Sequence, residues 1–369
     1  MPHRLVFACG GTGGHIFPAL SVGEEIHRRD PQSRILYVCG KKDIESAIFK
    51  IAHHENVAVI ESAPFRGTFS SVSPAFLLKL AKGFFQSLKL LRRERPEWVL
   101  GFGGYTSFPV LLAARYLNIP TMLHEQNVIP GKANRWLAGW VNAVALSVAE
   151  TEPYLPKARK KKVTGNPIRS RVERECRKEA LRFFGFSPEK KTLLVLGGSQ
   201  GAESINTLFL QCLPHLSSFT KAHFQVLHLC GGMNPQDSEK RCAEEKIFAK
   251  AYSFFDAMDL AYGAADFCVG RAGATFLAEI QTKPIPVLLV PYPFSDGHQR
   301  ANANVFQKKY GARIAEQKEL DPQKMATILN EMMKDLVSGN FSTVFGRCPS
   351  VARQALADYI ETCVQDQES

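Results

Sequence analysis

The sequence predicts an α/β protein made of two doubly wound parallel-sheet domains. Three observations carry this expectation. Short apolar runs alternate with helical patterns in both halves of the chain. A glycine-rich turn joins an apolar run to a helical pattern three times, at residues 9–18, 101–107 and 197–202. The 369 residues are more than a single hydrophobic core usually serves. Two such turns early in the chain and one after its midpoint suggest a cleft lined by helix N-termini from both halves.

In the first half, strands are expected at residues 4–9, 35–39, 57–60, 98–101, 121–124 and 143–147, and helices at 18–29, 43–53, 74–95, 107–118 and 132–138. The first turn reads Gly10-Gly11-Thr12-Gly13-Gly14-His15, with Pro18 opening the helix. Glycine lets the backbone approach a ligand, and the first helical N–H groups point outward toward an anion. His15 then stands beside a phosphate or sugar site; the alternative is a tight turn with a solvent-facing histidine. His124-Glu125-Gln126-Asn127 ends a later strand, at the carboxyl edge where parallel sheets bind ligands.

The helix at residues 74–95 has two faces. Leu77, Leu80, Phe84, Leu88 and Leu91 recur at helical spacing and are expected to face the sheet. Lys79, Lys82, Lys89 and Arg93 fall opposite them, with Phe76 and Phe85 on the flanks. A basic face edged by aromatics suits an anionic membrane surface, and an ordinary solvated lysine face is the alternative reading. The basic run at 157–162 reads as a loop or a strand lead-in, and the interdomain linker is placed here, with the turn chemistry of 163–167 that follows. The expected domains are residues 1–165 and 166–346, with a helix at 347–369 returning to the first.

In the second half, strands are expected at 192–196, 224–229, 251–254, 267–269, 286–290 and 313–315. Helices are expected at 204–214, 237–250, 257–264, 274–282, 298–310 and 322–336, and a last one at 351–363. Glu279 lies one turn into the helix after Gly270-Arg271-Ala272-Gly273, where a carboxylate accepts from a diol or serves the helix dipole. In the loop at 291–302, Asp296 reads as an N-cap and Gln299 as a partner for sugar hydroxyls.

Composition narrows the function. The formal charge is +11 and is clustered: residues 66–95 hold seven Lys or Arg against one acid, and 157–178 hold ten against two. Such a chain seeks an anionic partner. The basic runs carry no nucleic-acid recognition motif or stacking platform, so nucleic acid is disfavoured. No apolar run approaches ~18 residues, and the first apolar run is too short for a secretory signal, so a cytoplasmic protein is expected. The nine scattered cysteines read as buried reduced thiols. The Gly11-Thr12-Gly13 turn has Ile16 where a dinucleotide fingerprint needs glycine, and no acid closes the second strand, so a dehydrogenase is disfavoured. There is neither a P-loop nor a D-x-D triplet for a divalent ion, so no metal or cofactor is expected, and helix N-termini and basic side chains are left to neutralise a diphosphate.

Taken in order, these motifs resemble the MurG family. The residues that carry the resemblance are Gly10 through His15, Gly101-Phe-Gly-Gly-Tyr105, His124 through Asn127, Gly165-Asn-Pro-Ile-Arg169, Gly197-Gly-Ser-Gln-Gly201, Gly270 through Glu279, and Gln299. The resemblance implies two Rossmann-like domains of the GT-B glycosyltransferase fold with an interdomain cleft. It also implies inverting, metal-independent transfer of N-acetylglucosamine from UDP-N-acetylglucosamine to the muramyl 4-hydroxyl of lipid I, giving lipid II. The enzyme would act as a peripheral protein at the cytoplasmic membrane face.

His15 is the implied base. Thr12, Gly13, Gly14, Asn127, Arg169, Ser199, Gln200, Phe255, Ala274, Thr275, Phe276, Leu277, Ala278, Glu279 and Gln299 are the implied donor contacts. Gly13, Gly14, Gly103, Gly104 and Tyr105 are the implied cradle for the acceptor diphosphate. A related transferase with another nucleotide sugar or acceptor, and a non-catalytic lipid-diphosphate binder, are the alternatives.

Overall fold

The computed structural model describes residues 3–41, 56–63, 74–174, 176–197, 203–340 and 351–368. The chain forms two compact units, Met1–Arg169 with Ser350–Ser369, and Ser170–Pro349. The expected helix at 43–53 and the turn at 198–202, with Ser199 and Gln200, lie outside the described residues.

The first unit holds β1 (Arg4–Ala8), α1 (Gly13–Arg29), β2 (Arg34–Gly40), β3 (Val57–Ile60), α2 (Pro74–Glu94), β4 (Trp98–Gly101), α3 (Gly104–Tyr116), β5 (Thr121–Glu125), α4 (Lys132–Leu137), β6 (Ala143–Leu146) and β7 (Lys161–Val163). Its described strands form one parallel sheet in the order β3-β2-β1-β4-β5-β6-β7. Successive β1 side chains enter opposite cores, as strand alternation requires. Leu5 and Phe7 pack with Ile16, Leu20 and Ile26 of α1, whereas Val6 and Ala8 pack with Leu88 and Leu91 of α2 and Val110 and Leu111 of α3. Both faces are covered, so the strands read as unbroken apolar runs.

The final helix, Ala352–Glu368, belongs to this first unit. Its Leu356, Ala357 and Ile360 complete the core on the α1 face. Arg29 of α1 clamps it, donating to Asp358 at 2.7 Å and Glu361 at 3.1 Å.

The second unit holds α5 (Arg177–Phe184), β8 (Lys191–Leu196), α6 (Glu203–Cys212), α7 (Ser218–His223), β9 (Phe224–Leu229), α8 (Pro235–Glu244), β10 (Ala249–Tyr252), α9 (Met258–Ala264), β11 (Phe267–Gly270), α10 (Ala274–Ile280), β12 (Val287–Leu289), α11 (His298–Tyr310), β13 (Arg313–Ile314) and α12 (Pro322–Ser338). The helix at Ala352–Glu368 is α13. The second sheet runs β10-β9-β8-β11-β12-β13, again parallel. Its first strand therefore sits fourth from one end, and the chain winds outward to both sides of it, as in the first unit. In each sheet the winding reverses beside the first strand, between β1 and β4 and between β8 and β11. Helix α12 shows local signals agreeing with its ends: Asp321 accepts from Lys324 N at 2.8 Å, Pro322 follows, and Gly339 closes it at φ 72°.

Several expectations are corrected. The basic run leads into the edge strand β7 at Lys161–Val163, and the linker lies beyond the expected turn: the chain crosses between units at Arg169–Ser170 and Pro349–Ser350. Helices α1 and α3 begin at Gly13 and Gly104, before the expected starts, because Pro18 and Pro109 lie inside them. The strand expected at 251–254 is Ala249–Tyr252, since Lys246 takes φ 60° and ends the preceding segment early. Leu77 does not face the sheet. It is 55% exposed and Leu78 72%, because only the C-terminal half of α2, through Gly83, Ser87, Leu88 and Leu91, is buried.

Candidate active site

In the first unit, the switch point brings the β1–α1 and β4–α3 turns together. Gly103 and Gly104 have φ of 91° and 77°, where a side chain is strained. A Cβ on Gly103 would lie 2.9 Å from His15 Nδ1, and one on Gly104 would lie 2.3 Å from the Gly10 carbonyl oxygen. The second turn is thus pressed onto the first with the imidazole against it. Ser107 locks the pair, donating to the Ala8 and Gly103 carbonyls at 2.8 and 2.7 Å. Tyr105 lays its ring against Gly11. Thr12 is the N-cap residue of α1, but its side chain makes no capping bond.

Behind His15, at the end of β5, lies a buried polar row. Gln126 Oε1 sits 3.1 Å from His15 Nδ1. Its Nε2 donates to the Phe102 carbonyl at 2.8 Å and meets His124 Nδ1 at 2.9 Å. His124 Nε2 meets the Gly165 carbonyl at 3.1 Å. Burial pushes the His124 imidazole down to about 4, so it is neutral at physiological pH. Glu125 faces elsewhere: its carboxylate accepts from Asn127 N, Asn134 Nδ2 and Gly131 N. Asn127 also turns its amide onto Glu125, at 3.2 Å. The Arg169 guanidinium stacks 4.2 Å above the Phe17 ring, within the first unit. The structure therefore unites Gly13, Gly14, His15, Gly103, Gly104 and Tyr105, and adds His124 and Gln126.

In the second unit the candidates cluster at the carboxyl ends of β11 and β12. Ala274, Thr275, Phe276, Leu277 and Ala278 form the start of α10. Glu279 is 4% exposed and accepts from the Tyr262 hydroxyl at 2.8 Å, a partner without a local sequence signal. The Gln299 carbonyl oxygen accepts from Ala272 N and Tyr292 N, so its NH₂ is the end left for a ligand. Phe255 follows β10, its ring packed on Phe184 and Tyr252.

Sequence reasoning assigned no role to Arg271. It is buried, and burial pulls its guanidinium down to about 10. Among the described residues its hydrogen-bond partners are neutral: the carbonyls of Val290 and Pro291, Ser204 Oγ and Gln317 Oε1. An arginine between two glycines directly after an apolar strand was the available signal.

A separate cavity of about 620 Å³, lined by Trp98, Arg115, Pro120, Trp140, Arg159 and Lys160 among others, opens at the amino ends of β4 to β6. Doubly wound sheets bind at the opposite edge, so the glycine turns define the site.

Residues 5–146 match the glycosyltransferase family 28 N-terminal domain, and residues 192–340 match its C-terminal domain. A UDP-N-acetylglucosamine–N-acetylmuramyl-(pentapeptide) pyrophosphoryl-undecaprenol N-acetylglucosamine transferase of Halothermothrix orenii is 40% identical over 341 residues, covering 90% of this chain and 91% of its own. The enzyme of the same name from Geobacter sulfurreducens is 37% identical over 333 residues, with 90% of each chain covered. The crystal structure of Acinetobacter baumannii MurG superposes with a TM-score of 0.74 at 25% identity, covering 98% of this chain and 100% of that one. With two parallel doubly wound sheets and relatives of this identity along nearly its whole length, the chain belongs to the MurG family of UDP-sugar glycosyltransferases.

Proposed function

We propose that this protein transfers N-acetylglucosamine from UDP-N-acetylglucosamine to the muramyl 4-hydroxyl of lipid I, giving lipid II with inversion at the anomeric carbon. The observation that carries the reading is His15, held between two glycine turns at the switch point of the first sheet. The acceptor hydroxyl gives its proton to the His15 imidazole while its oxygen bonds to C1 of the sugar. The bond from C1 to the diphosphate oxygen breaks, and UDP departs with that electron pair. Such a step needs one base, a held acceptor and a stabilised leaving group. Gly13, Gly14, Gly103, Gly104 and Tyr105 hold the acceptor diphosphate. Thr12, Asn127, Arg169, Ser199, Gln200, Phe255, residues 274–278, Glu279 and Gln299 serve the donor.

The acceptor's polyprenyl tail stays in the bilayer, so the protein acts as a peripheral enzyme at the cytoplasmic face of the cell membrane. Helix α2 supports this contact. Leu78 and Phe85 are exposed beside Lys79, Lys82, Lys89 and Arg93, and Leu77 is exposed on another face near the helix start, where Phe76 is half-buried. Trp136 stacks on Trp140 at 4.9 Å and meets Phe108 in a tilted pair at 5.2 Å, extending the supply of interfacial aromatics. Among the described residues no helix is long and apolar enough to cross a membrane.

The test is transfer of labelled sugar from the UDP donor to a lipid I analogue. His15→Ala lowers kcat by about 10²–10⁴-fold with folding retained. Near-normal turnover in the folded variant removes His15 from the mechanism.

A further inference from the structure

We propose that Gln126 is the positioning residue for His15: held by His124 and the Phe102 carbonyl, it fixes the proton on Nδ1 and leaves Nε2 as the basic nitrogen. The inference rests on His15 being the base, and it specifies how that base is set.

The argument uses only which atoms can donate. A carbonyl oxygen accepts and never donates. The Gly165 carbonyl, 3.1 Å from His124 Nε2, therefore places that ring's proton on Nε2. In the neutral ring Nδ1 is then an acceptor. The Phe102 carbonyl, 2.8 Å from the Gln126 amide, requires NH₂ at that position and so fixes the amide's orientation. The same NH₂ donates to His124 Nδ1 at 2.9 Å. Gln126 Oε1 is left facing His15 Nδ1 at 3.1 Å, and an amide oxygen there demands an N–H from the imidazole. The row is anchored on backbone at two points, the Gly165 carbonyl at its far end and the Phe102 carbonyl at Gln126, and both give the same orientation.

This is the division of labour by which a carboxylate orients the histidine of a serine hydrolase, carried out by a neutral group. The difference has a chemical consequence. A carboxylate beside an imidazole favours its protonated form, whereas an amide fixes the tautomer without that bias. Among the titratable groups of the described residues, His124 lies across Gln126 from His15, and Tyr105 stands on the adjoining turn. Glu125 is committed to Asn127, Gly131 and Asn134, and Arg169 is stacked on Phe17.

Two measurements on the full-length enzyme test this. In the first, ¹⁵N-histidine correlation spectra of the wild type, with His15 assigned by its loss in His15→Ala, should show the neutral ring protonated on Nδ1. A ring protonated on Nε2 overturns the proposal. In the second, Gln126→Glu places a carboxylate at the same position. The acidic limb of its kcat/KM profile should move to higher pH by about one unit or more, with turnover recovering in alkali and the KM for UDP-N-acetylglucosamine within about twofold. An unmoved limb shows that Gln126 is merely structural. If Gln126→Glu is unstable, His124→Asn decides. Its side-chain oxygen replaces Nδ1 as acceptor and should retain at least about a third of kcat, whereas His124→Leu should lose about tenfold or more; equal losses overturn the row. Failure of the base reading looks different, because His15→Ala would then keep its turnover.

Discussion

Replacing Gly103 by alanine separates the two things this glycine does. The first is conformational. At φ 91° and ψ −172° an alanine sits in a region essentially reserved for glycine, at a cost of about 1–3 kcal/mol. The second is steric. The new Cβ would lie 2.9 Å from Nδ1 and 3.0 Å from Cε1 of His15, whereas such contacts settle at about 3.5 Å or more. The ring must retreat by roughly 0.5 Å, and the bond to Gln126 resists the movement. Displacing a reacting group by up to about 1 Å costs as much as ~100-fold in rate. Gly339→Ala is the control for a positive φ without a neighbour: φ is 72° and ψ 8° there, the ordinary left-handed region, and nothing lies within 4 Å of the added carbon. Thermal denaturation should show both variants melting a few degrees lower, at about 2–4 °C per kcal/mol. Transfer assays should show kcat reduced about 10–100-fold in Gly103→Ala alone. If folded Gly103→Ala turns over within twofold of Gly339→Ala, the pressing of this turn on the imidazole does not position the base.

Acid should weaken the fold early. Burial lowers both His124 and His228 to about 4, so their stability contribution is complete above the ordinary value of 6.5 and is lost as pH falls from there toward 4. Each is worth up to about 3 kcal/mol, and urea midpoints that stay level between pH 7 and 4.5 would contradict this. Arg271→Lys should lower the unfolding free energy by about 2–3 kcal/mol, because an ammonium cannot span Ser204, Gln317 and two carbonyls; an unchanged urea midpoint would make those bonds dispensable. Reversing Lys79, Lys82, Lys89 and Arg93 to Glu should release the protein from anionic vesicles at about 1 kcal/mol per charge, leaving transfer to a short-chain soluble acceptor nearly unchanged. Lys82 pairs with Glu61 and Arg93 with Glu94, so Lys79 and Lys89 should dominate, and co-sedimentation of the four-fold variant would move the membrane contact to another surface.

The strands were largely legible because two-sided burial writes each of them as an apolar run, as in Leu5-Val6-Phe7-Ala8. The edge strand β7 was not, since Lys161-Lys162-Val163 is exposed and its lysines guard an open edge. Proline misled at the first helix start, where Pro18 reads as the opening residue. Gly13-Gly-His-Ile-Phe17-Pro18 and Gly104-Tyr-Thr-Ser-Phe108-Pro109 share one spacing, and both helices begin five residues before the proline. Proline at a first helical position and proline one turn further in look alike without a structure. The glycine turns and His15 could be found because turn chemistry is local. The row behind His15 could not, because Gln126 lies 111 residues away in sequence and its meaning depends on which carbonyls it faces.

The last helix has a consequence for synthesis. The first unit takes its final core layer from residues that leave the ribosome only after the whole second unit. At about 5–20 residues per second, the nascent first sheet waits roughly ten to forty seconds for α13. During that interval the surface destined for Leu356, Ile360 and Val364 is bare, and these side chains supply roughly 5–9 kcal/mol on burial, comparable with the whole stability of a domain. The second unit, though encoded later, can finish first. Expression of residues 1–169 alone should therefore yield an aggregation-prone fragment, and supplying the terminal helix through a circular permutation that places it ahead of β1 should rescue it.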